Sequence, residues 1–300
     1  MVETMAASRP APSVSVIIPH FNDIANLRAC LTLLFAQTFP ASEFEIIVAD
    51  NNSAVGLDAV RAVCGERAIV VHAPIQGAAA ARNAGIEASR GRVLAFIDSD
   101  CRPAADWLVR GVAALQQADM AGGQVEISVK DDQSMTPTEA FETVFAFNNQ
   151  RYVEDERFSV TANMFVPRAI FDEVGGFHAA VSEDKDWGQR AATLGYRWIY
   201  APDVRVTHPA RYDWTELLSK WRRITRETYQ TERQKPLGAL LFLLRSWALP
   251  LSPLPHAVHI LRSSKLPRLR DKINAIGILF RIRWWRFVES HRILLNNDFR

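Results

Sequence analysis

Val93-Leu94-Ala95-Phe96-Ile97-Asp98-Ser99-Asp100 is the stretch on which the fold turns. Its apolar run is too short for a buried helix and reads as a strand covered on both faces, with two aspartates at its carboxyl end. Runs of the same kind precede it at residues 14–18, 44–49 and 68–72. Helical patterns fill the intervals. Leu27, Cys30, Leu31 and Leu34 recur at helical spacing behind Asn22 and Asp23, either of which can cap, and residues 57–64, 78–89 and 104–117 also read as helical. The first strand is expected to stop at Pro19, which cannot donate to a ladder.

Strand and helix in alternation predict an α/β fold with a mostly parallel central sheet, right-handed crossovers and helices on both faces. Ligands of such sheets bind beyond the carboxyl ends of the strands. Asp50 ends the second strand there, and Asp98 with Asp100 ends the fourth, so three acids distant in sequence converge on one rim.

Bulk composition narrows the class. A chain of 300 residues that is 48% hydrophobic buries a substantial core, so disorder is not expected. Its three cysteines, Cys30, Cys64 and Cys101, lack metal-ligand spacing and point to neither a disulfide framework nor a zinc cluster. Residues 1–12 read as a flexible leader without the features of a signal peptide. No G-x-G-x-x-G follows the first strand and no G-x-x-x-x-G-K-[ST] occurs, which removes dehydrogenase and phosphate-loop ATPase readings.

Chemistry enters at Asp98 and Asp100. Two carboxylates one residue apart at a strand end are hard oxygen ligands suited to Mg²⁺ or Mn²⁺. Such an ion bridges protein to diphosphate and supplies Lewis-acid help to a departing nucleoside diphosphate. Standing alone, an Asp in a strand-to-helix loop is as well explained by turn formation.

Context favours the metal. In order and spacing, seven segments resemble family 2 glycosyltransferases. They are Val14-Ser15-Val16-Ile17-Ile18-Pro19-His20-Phe21-Asn22, Glu45-Ile46-Ile47-Val48-Ala49-Asp50-Asn51-Asn52-Ser53, Gly77 through Ala81-Arg82-Asn83-Ala84-Gly85, Asp98-Ser99-Asp100, Gly175-Gly176-Phe177, Glu183-Asp184-Lys185-Asp186 and Gly195-Tyr196. Together they cover roughly residues 13–210. The resemblance implies a GT-A fold, a nucleotide-diphosphate sugar donor with a UDP-sugar favoured, Mn²⁺ or Mg²⁺, and single displacement with inversion.

Residue by residue, Asp50 resembles the acid that holds the base or ribose, with Pro19 and Phe21 in that wall; its alternative is a turn-forming Asp. Arg82 resembles a residue contacting the nucleotide or its phosphates, or else is a surface arginine on an alanine-rich helix. Asp98, Ser99 and Asp100 fall on the donor side. Asp184 resembles the base that takes the acceptor proton, although Glu183 and Asp186 compete and geometry must decide. Acids in a first helical turn also simply complement the dipole. Glu183 and Trp187 are expected on the acceptor side, where Trp187 is either a sugar platform or a packing residue. His208 resembles a histidine completing the metal shell, or is a satisfied core histidine. The stretch Thr161-Ala162-Asn163-Met164 resembles the lining of the donor and acceptor pockets.

Four segments are expected: a leader (1–12), a nucleotide-sugar half (13–115), an acceptor half carrying the base (116–234) and a helical tail (235–300). From Lys235 onward 12 Lys and Arg face 3 Asp and Glu, against 23 and 30 before it, so a basic tail of +9 follows a body of −7. Its apolar run at 237–244 is too short to span a bilayer, and Pro250, Pro253 and Pro255 are expected to break any helix. Phe280, Trp284, Trp285 and Phe287 alternate with Arg281, Arg283, Arg286 and Arg292, a mixture suited to headgroup depth. The tail is therefore expected to meet an anionic membrane surface at the cytoplasmic face, with packing on the body as the alternative and no nucleic acid expected. The expected activity is sugar transfer to a glycan acceptor, lipid-linked by inference from the tail, in surface polysaccharide assembly; a non-catalytic glycan or nucleotide-sugar binding module is the alternative.

Overall fold

The computed structural model describes residues 11–179 and 182–296, so most of the expected leader lies outside the described residues. Its elements are β1 (Val14–His20), α1 (Ile24–Phe35), β2 (Phe44–Asp50), α2 (Leu57–Cys64), β3 (Ile69–His72), α3 (Ala78–Glu87), β4 (Val93–Phe96), β5 (Arg102–Pro103), α4 (Trp107–Ala114) and β6 (Met120–Ser128). There follow α5 (Pro137–Phe145), α6 (Asn149–Glu156), β7 (Met164–Pro167), α7 (Arg168–Val174), α8 (Glu183–Thr193), β8 (Trp198–Pro209), α9 (Trp214–Glu232), α10 (Gly238–Trp247), α11 (Pro253–Arg262) and α12 (Leu269–Asn296).

One sheet holds the strands in the order β3-β2-β1-β4-β7-β6-β8-β5. β1 is parallel to β2 and β4, and β2 to β3, but β7 lies between β4 and β6 and runs against both. The sheet is thus mixed, not mostly parallel as expected. Antiparallel neighbours need no crossover helix, so the strand–helix alternation that announces the first half carries no information about the second.

β1 also continues through Pro19 to His20. Ile17 faces β4, since its carbonyl accepts from Ile97, and Pro19, two residues on, faces the same side. Pairing with β4 ends at Ile17, so the missing N–H of Pro19 points where the ladder has already stopped. The extra length matters because the register sets His20 directly beside Asp50.

Two compact units divide the described residues: 11–124, 149–179 and 183–206 form the first, and 125–148, 182 and 207–296 the second. In the first, Ile17, Ile47, Leu94 and Phe96 of the sheet pack with Phe171, Phe177 and Trp187. α3 lies close on β1 and β2 because its contact side is alanine and glycine; a Cβ on Gly85 would come within 2.9 Å of the Ile17 side chain.

The second unit has its own core, in which Phe141 and Val144 of α5 and Leu217 of α9 pack with Ile260, Ile278, Leu279 and Ile282. These residues come from both sides of residue 235, so the change of charge there is not a boundary of this core. The proline stretch breaks the helix as expected: α10 ends at Trp247, Pro250 lies in the turn that follows, and α11 begins at Pro253, in the first turn, where a missing N–H costs nothing. Among the described residues no helix is long and apolar enough to cross a membrane.

Candidate active site at the carboxyl ends of the parallel strands

Arg82 is the centre of the site. The close approach of α3 carries it to the carboxyl edge of the sheet, where it is 5% exposed. One arm of its fork, Nη2, donates to Asp98 Oδ1 at 2.7 Å, and the other, Nη1, to Glu183 Oε1 at 2.7 Å. Strand-end acid and helix acid, 85 residues apart in sequence, are thereby held on one cation. Burial works against its charge, but Asp98 and Glu183, with Asp184 behind them, outweigh it and raise the guanidinium pKa further. Its Nε is buried without a hydrogen-bond partner.

The two acids after β4 sit on a turn closed by the Cys101 amide to the Asp98 carbonyl at 3.0 Å. Arg102 staples this turn to α1: its guanidinium reaches the carbonyls of Asp100 and Cys101 at 3.0 Å and Asn26 Oδ1 at 2.6 Å. Asp98 remains 31% exposed in its side chain. Two half-exposed carboxylates on a fixed turn suit a hard divalent ion that takes its other ligands from elsewhere. Among the described residues no three His, Cys, Asp or Glu side chains are grouped so as to hold a metal by themselves.

Asp50 is 1% exposed, with His20 Nδ1 at 2.9 Å from Oδ1 and the Ser53 amide donating to Oδ2 at 3.1 Å. The Asp23 amide donates to His20 Nε2 at 3.3 Å, which leaves Nδ1 as the ring nitrogen turned toward Asp50. Burial pushes the Asp50 carboxyl up, yet hydrogen bonds from Ser53 and His20 more than offset it and hold the group below the usual range. Asn51 pins the loop before α3 by donating to the Ala73 and Ile75 carbonyls and accepting from the Gly77 amide. Beside this buried set, Phe21 is 51% exposed and Pro19 half-buried.

The start of α8 is fixed from its second turn. Arg190 donates to the Val174 and Gly176 carbonyls at 2.6 Å, and Trp187 Nε1 to the Gly175 carbonyl at 2.8 Å. Asn83 of α3 clasps Phe177 through both its amide and its carbonyl, each at 2.9 Å. The glycine pair is thus the joint between α3 and α8. Of the three competing acids, Glu183 is paired with Arg82, and Asp186 with Arg190 at 2.9 Å and His178 at 3.1 Å. Asp184 is half-buried and accepts from the Lys185 amide at 2.8 Å.

One expectation changes here. Trp187 is fully buried and stacks on Phe171 with 5.2 Å between ring centroids, so it offers no face to an acceptor sugar; its helical spacing was that of a core residue. His208 belongs to the second unit, 7% exposed, with Nδ1 against the Pro209 carbonyl at 2.7 Å and its ring 5.1 Å from Phe147. In the stretch 161–164, Asn163 is wholly buried: it accepts from Trp107 Nε1 and donates to the Gln124 and Val204 carbonyls. It braces the sheet.

Sequence reasoning passed over His20, Ser53, Asn83, Arg102 and Arg190 as individual actors. Each acts through a partner fixed by register or by a loop, and only His20 carried a local signal, a histidine two residues beyond an apolar strand.

Comparison with known proteins identifies the family and the fold. The family model described as glycosyl transferase family 2 matches residues 15–175. Glycosyltransferase AglE of Haloferax volcanii is 35% identical over 221 residues, covering 71% of this chain and 72% of that protein. The pre-mycofactocin glycosyltransferase of Mycobacterium tuberculosis is 28% identical over 227 residues, 69% of this chain and 46% of that longer one. Among solved structures, mannosyltransferase PcManGT from Pyrobaculum calidifontis, in complex with GDP-Man and Mn²⁺, matches with a TM-score of 0.62. At 20% identity over 96% of this chain and 88% of its own, that likeness is one of fold.

Proposed function

The chain belongs to glycosyl transferase family 2 and is a glycosyltransferase of GT-A-like fold, and on that premise we propose that it moves a sugar from a nucleoside diphosphate to a glycan hydroxyl by single displacement with inversion. The observation that carries this reading is the Arg82 fork, which brings the acids after β4 and the acids opening α8 to one place. Donor-side and acceptor-side chemistry then meet across a few ångströms.

Asp98 and Asp100 are the residues that would hold Mn²⁺ or Mg²⁺, completed by diphosphate oxygens and water. When bound, the ion supplies charge neutralisation to the departing diphosphate. Ser99 lies between these two on the donor side. Phe21, exposed beside Pro19, supplies an aromatic face for the base, and Asp50 underlies that wall by fixing His20 and the Ser53 turn. Arg82 keeps a cation beside Asp98 while the diphosphate binds. Asp184, half-buried at the start of α8 next to the acid that holds Arg82, takes the acceptor proton, and Glu183 keeps the α8 acids aligned with the donor side. His208 is not included in the metal set.

The acceptor in this reading is a glycan, lipid-linked, met at the cytoplasmic face of a membrane; the support is the charge asymmetry of the chain. The test is incubation of the purified protein with UDP-, GDP- and dTDP-sugars while nucleoside diphosphate release is followed. Release from at least one donor, lost on chelation and restored by Mn²⁺ or Mg²⁺, is expected. Neither binding nor release across the panel would overturn the reading. PcManGT holds GDP-Man, so GDP-sugars stand in the panel on equal terms with the UDP-sugars favoured by the sequence.

A further inference from the structure

Helices of soluble domains usually carry one apolar stripe, turned inward. The last three helices of the second unit carry two. α10 buries Phe242 and Ser246 yet exposes Leu240, Leu244 and Trp247, spaced as i, i+4 and i+7. α11 repeats the pattern, with Ile260 buried and Leu254, Val258 and Leu261 exposed. α12 buries Ile278, Leu279 and Ile282 while Phe280, Trp284 and Val288 stand outward. Scattered surface leucines need no explanation, but second stripes at helical spacing on three consecutive helices do. The Trp247 ring lies 5.1 Å from Phe287, itself 5.6 Å from Trp284, which makes the α10 and α12 stripes one patch. Trp285 points the other way, against the core.

Charge accompanies this patch. Arg283, next to Trp284 on α12, is half-buried, and burial lowers its pKa. Arg286 is turned to the core side instead, 4.5 Å over the Trp221 ring with its Nε buried. A cation partly drawn from water is relieved by a bound anion. A soluble phosphate would account for Arg283 and leave the apolar stripes unexplained. A phospholipid surface accounts for both.

We propose that the outward faces of α10, α11 and α12 seat the second unit on an anionic bilayer, with Leu240, Leu244, Trp247 and Trp284 entering to headgroup depth and Arg283 meeting lipid phosphate. The inference rests on the membrane-side reading above and names its surface. The basic excess after residue 235 matches such a partner, and an interfacial rather than spanning attachment agrees with the helix lengths.

The test is flotation of the full chain with phosphatidylcholine vesicles, with and without phosphatidylglycerol, at low and high salt. The protein is expected to float with the anionic vesicles and to keep part of that binding at high salt. Leu244→Glu with Trp247→Glu should lose the salt-resistant part at least tenfold. Arg283→Gln should reduce the preference for phosphatidylglycerol severalfold while leaving the salt-resistant part. Circular dichroism checks that both variants fold, and the single Leu244→Glu replaces the double variant if it does not. A chain that ignores both vesicles overturns the proposal, as do variants that float like the parent. So does a dimer in light scattering that the Leu244→Glu/Trp247→Glu variant dissolves, because the stripes would then belong to a second copy. Donor binding without vesicles is measured alongside: flotation failing while donor binding persists removes only this inference, and the reverse removes the donor-site reading.

Discussion

Each unit of the molecule buries one charged triad, and the two are built as opposites. In the first, a buried cation, Arg82, lies between two carboxylates whose side chains stay 31% and 20% exposed. In the second, a buried carboxylate, Glu142, lies between two cations, Lys220 and Arg211. Glu142 is saturated: Oε1 accepts from Lys220 Nζ at 2.9 Å and Arg211 Nη1 at 3.1 Å, and Oε2 from the Arg211 amide at 2.9 Å and Nη1 at 3.0 Å. Arg82 is not, since one of its nitrogens has no partner and its acids keep open surface. A closed triad holds a fold together. An open one leaves valence for a ligand, and that contrast separates the strand-end rim from the helical unit more sharply than burial does.

The largest effects should break the rim and spare the fold. Asp184→Asn should lose transfer by about 10²-fold or more while donor affinity persists, because an amide accepts no proton. Near-normal transfer by this variant with Asp186→Asn inactive would move the base to Asp186. Asp100→Ala should fall to background in nucleoside diphosphate release and in Mn²⁺ binding by electron paramagnetic resonance, with its melting temperature little changed.

The closed triad should answer in stability instead. Glu142→Ala strands two half-buried cations and should cost somewhat less than the about 3–5 kcal/mol of a fully buried pair in chemical denaturation. If that variant loses activity while keeping its stability, the triads have been assigned the wrong way round. Arg82→Lys, which replaces a fork with a point charge, should show a smaller and mixed effect: donor binding weaker by about tenfold, the value of one charge-assisted hydrogen bond, and a modest fall in melting temperature.

The smallest effect is one of pH. Burial pushes the Glu142 carboxyl up, but Lys220 and Arg211 more than reverse this and hold it below its ordinary 4.5. As pH falls, the unfolded chain then takes the proton first, so this contribution is complete above that value and lost as pH drops through the folded one. Denaturation midpoints followed downward from about pH 6 should decline in the parent and decline less in Glu142→Gln. Equal slopes would mean that the triad contributes nothing to acid stability.

How far the sequence foretold this molecule depends on which forces are local. Apolar runs and helical spacing fell where the structure has β2, β3, α1 and α2, because burial of those faces is written into consecutive residues. The rim acids followed from strand ends. What escaped were relations: the reversal of β7, which no period announces, the His20–Asp50 pair set by register, and the Arg82 fork, which joins residues from distant segments. Trp187 shows the limit from the other side, since an aromatic on a helix face reads the same whether it meets a sugar or Phe171.

At Gly85 the helix and the sheet leave no room for a side chain. One absent methyl group sets how far α3 stands from the sheet, and with it how far the guanidinium of Arg82 reaches past the strand ends. Loops around the rim can be rewritten for new sugars without touching that spacing, whereas a single added carbon at Gly85 would shift the fork itself. Lineages of this chain should therefore diversify in what they transfer long before they alter where the transfer happens.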